Sequence, residues 1–312
     1  MSEYEQEFTI YEAAALSDPT ELQRFLSATP APTQDDLDAS FENACCENQV
    51  ANAKLLLEHG AKFTPSILDN SWVQSDPVPI FELLLQHGWD VNNGSIYVPK
   101  TPLAMARVAQ NKTPDGIIWL LNHGGDPNLR DTRRGWDEMP EMEDVYENGV
   151  VIGKRPRSRE RIERSREMAK ISPLECAVKV GNMDIVKLLV DHGAEIDLGA
   201  LYQPVTVKGT YWALDTLKYF FEKGADVNAS DREGRYKSLL IANVDRRLRC
   251  KPDMEVLVGI AKLLIEKGID VNVLEKFGRT ALRCAMDNFG DDSELYEVIK
   301  AAGGIVLPES YD

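Results

Sequence analysis

A recurring pattern of apolar and polar positions predicts a series of amphipathic helices, each of which ends at a glycine. The apolar positions fall three and four residues apart, so that they form one face of a helix. Two further residues separate the last apolar positions from the glycine. The pattern reads AKLLLEHGAKF at 53–63, FELLLQHGWDVN at 81–92, IIWLLNHGGDPN at 117–128, IVKLLVDHGAEID at 185–197, LKYFFEKGADVN at 217–228, AKLLIEKGIDVN at 261–272 and, in a shortened form, YEVIKAAGGIV at 296–306.

The spacing of these glycines indicates a repeated structural unit. Successive glycines are separated by 28, 36, 69, 31, 44 and 35 residues. These distances indicate a period of about 33 residues with one short and one long insertion. Glycine directly after a helix permits the left-handed backbone conformation with which many helices end. The glycines are Gly60, Gly88, Gly124, Gly193, Gly224, Gly268 and Gly303.

The residues around each glycine predict how the helix ends and how the chain turns. Histidine or lysine precedes the glycine in six copies, where it can bind the last helix carbonyls at the negative end of the helix dipole. The Asp-x-Asn sequence that follows several of the glycines favours a tight turn. A shorter helix that begins at Ser or Thr precedes the long one. Such helices read TPLAMARVA at 101–109, SPLECAVKVGN at 172–182 and TALRCAMDN at 280–288.

Together these features resemble the ankyrin repeat. The motif TPLHxAAxxGHxxIVxLLxxGADVNA is reproduced best by residues 172–197, with Glu175 in place of the usual histidine. The sequence FGRTAL opens the helix pair within 276–288, and GADVNASDREGR at 224–235 is a complete connecting finger. The resemblance covers about residues 9 to 304. It implies an all-α solenoid of stacked helix pairs that are joined by short β-hairpin-like fingers.

The resemblance also implies a single domain over residues 1–312, with about seven repeats after an N-terminal cap. The cap, residues 9–30, is a helix pair without a finger, and residues 131–169 are an insertion between repeats. The polar last repeat suits an exposed end of the array. The repeats span about 34–63, 64–95, 96–130, 170–198, 199–229, 230–274 and 275–306.

The insertion at 131–169 divides into halves of opposite charge. Its first half is acidic and contains Trp136 and Tyr146, whereas its second half, from Lys154 to Lys170, has eight basic and three acidic residues, 8 − 3 = +5. Glu/Arg pairs at helical spacing predict an exposed helix in the second half. This helix either neutralises nearby acidic segments or contacts a partner, as a lid over the groove or otherwise. The basic tract at 154–166 also resembles a nuclear-import signal.

The overall charge limits the partners that the chain can bind. With 35 basic and 51 acidic residues the formal net charge is -16, which repels nucleic acid and is compatible with a basic protein or peptide partner. No apolar stretch is long enough to span a bilayer, so we expect no membrane partner. Five cysteines without a CxxC pair argue against a disulfide framework and indicate a reducing compartment. We therefore expect a cytoplasmic protein, with the nucleus as the alternative.

The residues that usually carry catalysis have structural explanations in this sequence. All four histidines (His59, His87, His123 and His192) occupy the same position before a helix-ending glycine. Residues one repeat apart cannot converge on one metal ion or form a catalytic pair. Cys176 and Cys284 lie where first helices carry small residues, and no histidine is left to activate a thiol. We expect no metal site, cofactor or catalytic residue, and the sequence favours a non-enzymatic protein.

The resemblance places binding on the concave side, at the finger tips and the exposed faces of the first helices. Large aromatic residues there are either partner contacts or fillers of the core, whereas Trp119 is expected to be core. The candidate binding residues are Trp72, Trp89, Asp90, Tyr97, Asp126, Asp131, Trp136, Tyr202, Trp212, Tyr236 and Phe277.

Three functions follow as hypotheses. The first is a scaffold that binds a protein or peptide through its concave groove. The second is a small-molecule site under the 131–169 insertion, or an unusual metal-free enzyme of the acid/base cyclisation or dehydration type. The third is a regulator that shuttles to the nucleus through the 154–166 tract.

Overall fold

The computed structural model describes residues 8–62, 76–92, 114–132, 142–147, 150–156, 170–206, 211–230, 237–245, 253–275 and 278–307. The chain forms two compact units: unit 1, Met1–Pro173, and unit 2, Leu174–Asp312. The described residues are mostly helical, which confirms the predicted helical class, and they contain two small pairs of strands. Across these residues, no helix is both long and apolar enough to cross a membrane.

Unit 1 begins with a capped helix pair and continues with helices of the repeats. Thr9 and Glu12 form a capping box at the first helix, because each side chain bonds the backbone N–H of the other residue. Thr33 and Asp36 repeat this arrangement at the third helix. The described helices of unit 1 are α1 (Ile10–Ala14), α2 (Thr20–Leu26), α3 (Gln34–Cys46), α4 (Val50–Glu58), α5 (Val78–Gln86) and α6 (Asp115–Asn122).

Two strand pairs lie in and around the predicted insertion. Strand β1 (Asp131–Thr132) pairs antiparallel with β4 (Lys170–Ile171), so the two ends of the insertion are hydrogen-bonded neighbours. Strand β2 (Met142–Glu147) pairs antiparallel with β3 (Val150–Pro156). The sequence did not predict this second pair. The predicted basic helix falls almost entirely on residues 157–169, which lie outside the described residues, as does most of the nuclear-import tract.

The register of β2 and β3 sets acidic residues of the first half against basic residues of the second. Glu143 is the register partner of Arg155, and Asp144 that of Lys154. The charge division of the insertion therefore has a local structural counterpart in this hairpin.

Unit 2 consists of helix pairs arranged in two layers. In the first layer α9 packs on α11 and α11 on α13; in the second, α10 packs on α12 and α12 on α14. Each layer buries its own apolar face, with Leu217, Phe220 and Leu264 fully buried, and each such side chain contributes about 1.5–3 kcal/mol. The helices are α7 (Pro173–Val180), α8 (Met183–Asp191), α9 (Leu198–Thr206), α10 (Trp212–Glu222), α11 (Leu239–Val244), α12 (Met254–Glu266), α13 (Ala281–Phe289) and α14 (Glu294–Ala301).

Candidate binding surface

The glycine after each long helix has the predicted left-handed conformation. Gly224 has φ 91°, and the next amide, of Ala225, donates to the carbonyl of Phe220 at 3.0 Å. The other six helix-ending glycines have φ between 83° and 91°. This repeated geometry ends each long helix in the same way, and it gives the finger that follows a fixed direction.

The four histidines cap the helices that they end, as predicted. His123 follows α6, and its Nδ1 lies 2.7 Å from the carbonyl oxygen of Trp119, one turn earlier. The ring also stacks on that of Trp119, with centroids 3.8 Å apart. His59, His87 and His192 contact the carbonyls of Leu55, Leu83 and Leu188 in the same way, each at 2.8 Å.

The Asp-x-Asn turns of the fingers form as predicted and display exposed carboxylates. In the turn after α10, the backbone N–H of Asn228 donates to Oδ1 of Asp226 at 2.9 Å. The same bond, of 2.8–2.9 Å, joins Asn92 to Asp90, Asn128 to Asp126 and Asn272 to Asp270. The four aspartates are exposed. We call Asp90, Asp126, Asp226 and Asp270 the finger carboxylates.

The asparagine of the turn also connects its finger to the next one along the chain. In unit 1, Asn92 Nδ2 donates to the carbonyl of Gly124 at 2.8 Å, and Asn92 Oδ1 accepts from the N–H of Asp126 at 2.7 Å. In unit 2, Asn228 bonds Gly268 and Asp270 in the same manner, at 3.1 and 2.8 Å. Consecutive finger carboxylates, Asp90 with Asp126 and Asp226 with Asp270, are therefore held in fixed positions relative to one another.

No Asp-x-Asn sequence lies between α2 and α3, and two residues of α3 take over the role of the asparagine. Gln34 Nε2 donates to the carbonyl of Gly60 at 3.0 Å, and Asp38 Oδ1 accepts from the N–H of Lys62 at 2.6 Å. These are the backbone groups that an asparagine of a preceding finger would bond. No local signal in the sequence indicates this replacement, because the partners are more than 20 residues apart.

Three of the candidate aromatic residues are buried. Trp89 is 4% exposed, and its ring centroid lies 5.6 Å from that of Phe81. Trp119, the expected core residue, is also buried, with its centroid 5.6 Å from that of Phe81. Tyr202 is 2% exposed and donates its hydroxyl to the carbonyl of Ala229 at 2.9 Å. Burial of these rings supports the core-filling alternative, because buried side chains present little surface to a partner.

Trp212 is the third buried candidate, and its position accounts for the glycine at 181 in the preceding helix pair. It is 7% exposed and lies against Gly181, where a Cβ atom would clash with the indole ring. Glycine at 181 therefore lets the tryptophan pack on the backbone between α7 and α8.

The remaining candidates give no side-chain geometry. Asp131 lies in β1 and is known by its backbone pairing alone. The other five lie outside the described residues: Trp72, Tyr97, Trp136, Tyr236 and Phe277. Asp226 and Asp270 are finger carboxylates that were not among the candidates predicted from the sequence. The sequences GADVN and GIDVN nevertheless indicate them as clearly as GWDVN indicates Asp90.

Glu175, which replaces the usual histidine of the motif, is used between repeats. It is buried in α7, and its Oε1 accepts from Gln203 Nε2 of α9 at 3.0 Å. Gly199 lies directly against the carboxylate, so that a Cβ there would clash with it. The glutamate joins neighbouring first helices, and its burial removes it from the binding surface.

The last helix pair carries a charge network that is close to neutral. Arg279 pairs with Glu275 and approaches Asp287 at 3.7 Å, and Arg283 pairs with Asp287 at 2.9 Å. Two guanidinium groups thus face two carboxylates.

The described thiols are poorly suited to nucleophilic chemistry. Cys45, Cys176 and Cys284 are buried. Burial raises the pKa of Cys45 above its usual range and that of Cys284 to about 11. At neutral pH these two sulfurs are protonated, and the thiol is a much weaker nucleophile than the thiolate. Within the described residues, no group of three or more His, Cys, Asp or Glu side chains could hold a metal ion.

The geometry defines a class of protein: a repeat protein of helix pairs with glycine-terminated second helices and Asp-x-Asn fingers. The family model "Ankyrin repeat" matches residues 170–200. Among solved structures it is similar to the human ASB11 ankyrin repeat domain, at 18% identity and a TM-score of 0.43, covering 96% of this chain and 100% of the other. No curated protein matches the sequence.

Proposed function

We propose that the protein binds a basic protein or peptide through the finger carboxylates, with Asp90 and Asp126 as one pair in unit 1 and Asp226 and Asp270 as a second pair in unit 2. Ankyrin repeats generally mediate protein–protein interaction. The observation that carries the proposal is the set of exposed aspartates, each fixed by its own turn and joined through asparagine to the neighbouring finger.

The chemistry of the finger carboxylates favours lysine and arginine as partners. Each aspartate uses Oδ1 to accept one backbone N–H. An ionised carboxylate has about four acceptor sites, so each finger keeps capacity for donors of a partner. Because the turns already hold the carboxylates in place, binding loses little side-chain freedom. The formal net charge of -16 also raises the encounter rate with a basic partner.

The test is selection from a displayed random-peptide library, followed by charge-neutralising substitution. The selected peptides should be enriched in Lys and Arg. A variant with D90N, D126N, D226N and D270N should bind them about tenfold more weakly, since each exposed pair contributes about 0.2–1 kcal/mol. Asparagine keeps an oxygen for the turn, so the variant should remain folded by circular dichroism.

The matched control is Asp184→Asn. Asp184 is an exposed aspartate in the first turn of α8 and is not part of a finger. Its substitution should leave the affinity unchanged, and added salt should weaken the binding of the unchanged protein. The proposal is wrong if the selected peptides carry no excess of basic residues or if the two variants lose affinity equally.

A further inference from the structure

Unit 2 contains an open groove that does not include the finger carboxylates. It lies between α12 and α14, which pack against each other, and has a volume of about 740 Å³. Its described lining comes from these two helices, the end of α13 and the connection that follows. Met254, Val258 and Phe289 form the apolar part of this lining, and the Met254 side chain is 37% exposed.

A glycine inside α12 contributes to this lining, and the described residues give no steric reason for it. Among them, a Cβ atom at Gly259 would have only Leu214 Cδ2 as a neighbour, at 3.6 Å, an ordinary contact distance. Glycine inside a helix is less stable than alanine by about 1 kcal/mol, and packing does not require it here. Glycine commonly occurs where a ligand or a second backbone approaches closely. The groove thus exposes helix backbone at a point where alanine could be accommodated.

The rim of the groove is acidic. Glu255 and Glu294 line it, and Lys262 Nζ pairs with Glu294 Oε1 at 2.9 Å. Three exposed aspartates flank the lining residues along the chain, namely Asp253, Asp291 and Asp292. Two lining carboxylates and one ammonium group thus border the apolar floor, and three further carboxylates lie next to the lining residues in the sequence. Such a rim repels phosphate groups and complements cationic side chains.

We propose that this groove docks a basic amphipathic helix of a partner protein. The apolar face of that helix lies on Met254, Val258 and Phe289 and approaches the backbone at Gly259. Its Lys or Arg side chains face Glu255 and the flanking aspartates. This is helix-in-groove recognition, on a surface distinct from the finger carboxylates, so the inference does not depend on the function proposed above.

The probe is a synthetic peptide with Leu at helical spacing on one face and Lys on the other, compared with the same peptide carrying Glu in place of Lys. In protein labelled with ¹³C-methyl methionine, the Lys peptide should shift the Met254 signal. The Met183 signal should stay in place, because its sulfur contacts Thr216 Oγ1 at 3.0 Å away from the groove. The Glu peptide should produce no shift.

Gly259→Ala separates a binding role from a structural one. Alanine should raise the thermal unfolding midpoint through its higher helix propensity, and the added methyl group should weaken the Lys peptide about tenfold by obstructing close approach. Glu255→Gln should weaken it about threefold. The matched control Glu222→Gln, at the exposed end of α10, should have no effect.

Three results would overturn the proposal, and a fourth would support it. If the unchanged protein and Gly259→Ala bind the Lys peptide with equal affinity, the glycine has no role in docking. If Glu255→Gln and Glu222→Gln lose equal affinity for this peptide, the attraction is unspecific. Broadening of the Met254 signal with protein concentration alone would assign the groove to a second copy. Persistence of the Met254 shift in the fourfold finger variant would support the proposal and separate it from the proposed function of the fingers.

Discussion

Asn228 and Asp270, 42 residues apart, are joined by a hydrogen bond of 2.8 Å from the backbone N–H of Asp270 to Oδ1 of Asn228. The same side chain donates to the carbonyl of Gly268 at 3.1 Å. One amide thus satisfies a donor and an acceptor of the neighbouring finger. Because a repeat array has no contacts between distant units, such bonds between neighbours contribute directly to its cooperativity.

Asn228→Ala should therefore lower the free energy of unfolding by about 1–2 kcal/mol, since it removes two neutral hydrogen bonds worth about 1 kcal/mol each. Urea denaturation followed by circular dichroism measures the change. The control is Asn122→Ala at the exposed end of α6, which should change stability by less than about 0.5 kcal/mol. A loss at Asn228 no larger than that at Asn122 would contradict the bridging role.

Gly224→Ala isolates the backbone strain at a helix end. A Cβ atom there would meet no side chain of the described residues within 4 Å, and the backbone has φ 91°. The cost should be about 1–2 kcal/mol, the penalty for a side chain in the left-handed region. Gly224→Asn should cost less, because asparagine tolerates this region better. If alanine and asparagine destabilise the protein equally in urea denaturation, strain is not the cause.

The hydrogen bonds of the four capping histidines predict which nitrogen of each ring carries the proton. In each ring Nδ1 faces a backbone carbonyl oxygen at 2.7–2.8 Å. A carbonyl oxygen only accepts, so Nδ1 must carry the proton. Long-range ¹H–¹⁵N correlation spectra at alkaline pH should show the Nδ1–H tautomer for all four rings. An Nε2–H tautomer at any of them would contradict the cap at that position.

The features that the sequence predicted are those whose causes lie within a few residues. The glycine conformations, the histidine caps and the Asp-x-Asn turns each depend on neighbours within four positions, and all are confirmed. The bridge from Asn228 to the next finger could not be read locally, because its partner depends on how two repeats stack. The burial of Tyr202 could not be read locally either, because the carbonyl that accepts the hydrogen bond of its hydroxyl belongs to Ala229, 27 residues further along the chain.

The insertion shows the same limit. Its length and charge division are visible in the sequence, but the pairing of Asp131 with Ile171 closes a loop of about 40 residues. A contact of such separation leaves no periodic signal. The hairpin of β2 and β3 was not predicted. Val and Tyr favour a strand, but within Met142–Glu147 they are few and stand among acidic residues, so the strand pattern is weak.

The last prediction concerns the reaction rates of the described cysteines, which should differ because the thiols are buried to different degrees. Cys46 is half-buried, whereas Cys45 and Cys284 are buried and have raised pKa values. With a pKa of about 11, roughly one Cys284 side chain in a thousand is a thiolate at pH 8. In a Cys250→Ser background, which removes the cysteine outside the described residues, a thiol-exchange reagent should therefore label Cys46 first. The other three should react only at the rate at which the fold opens.

Urea supplies the check on this order. Below the unfolding transition one thiol should react rapidly, and above it all four should react at similar rates, because unfolding removes the burial that raises the pKa values. Peptide mapping after brief labelling identifies the modified residue. Rapid labelling of Cys45 in the native protein would mean that α3 does not bury it, and it would contradict the packing of α1 against α3 at the start of the array.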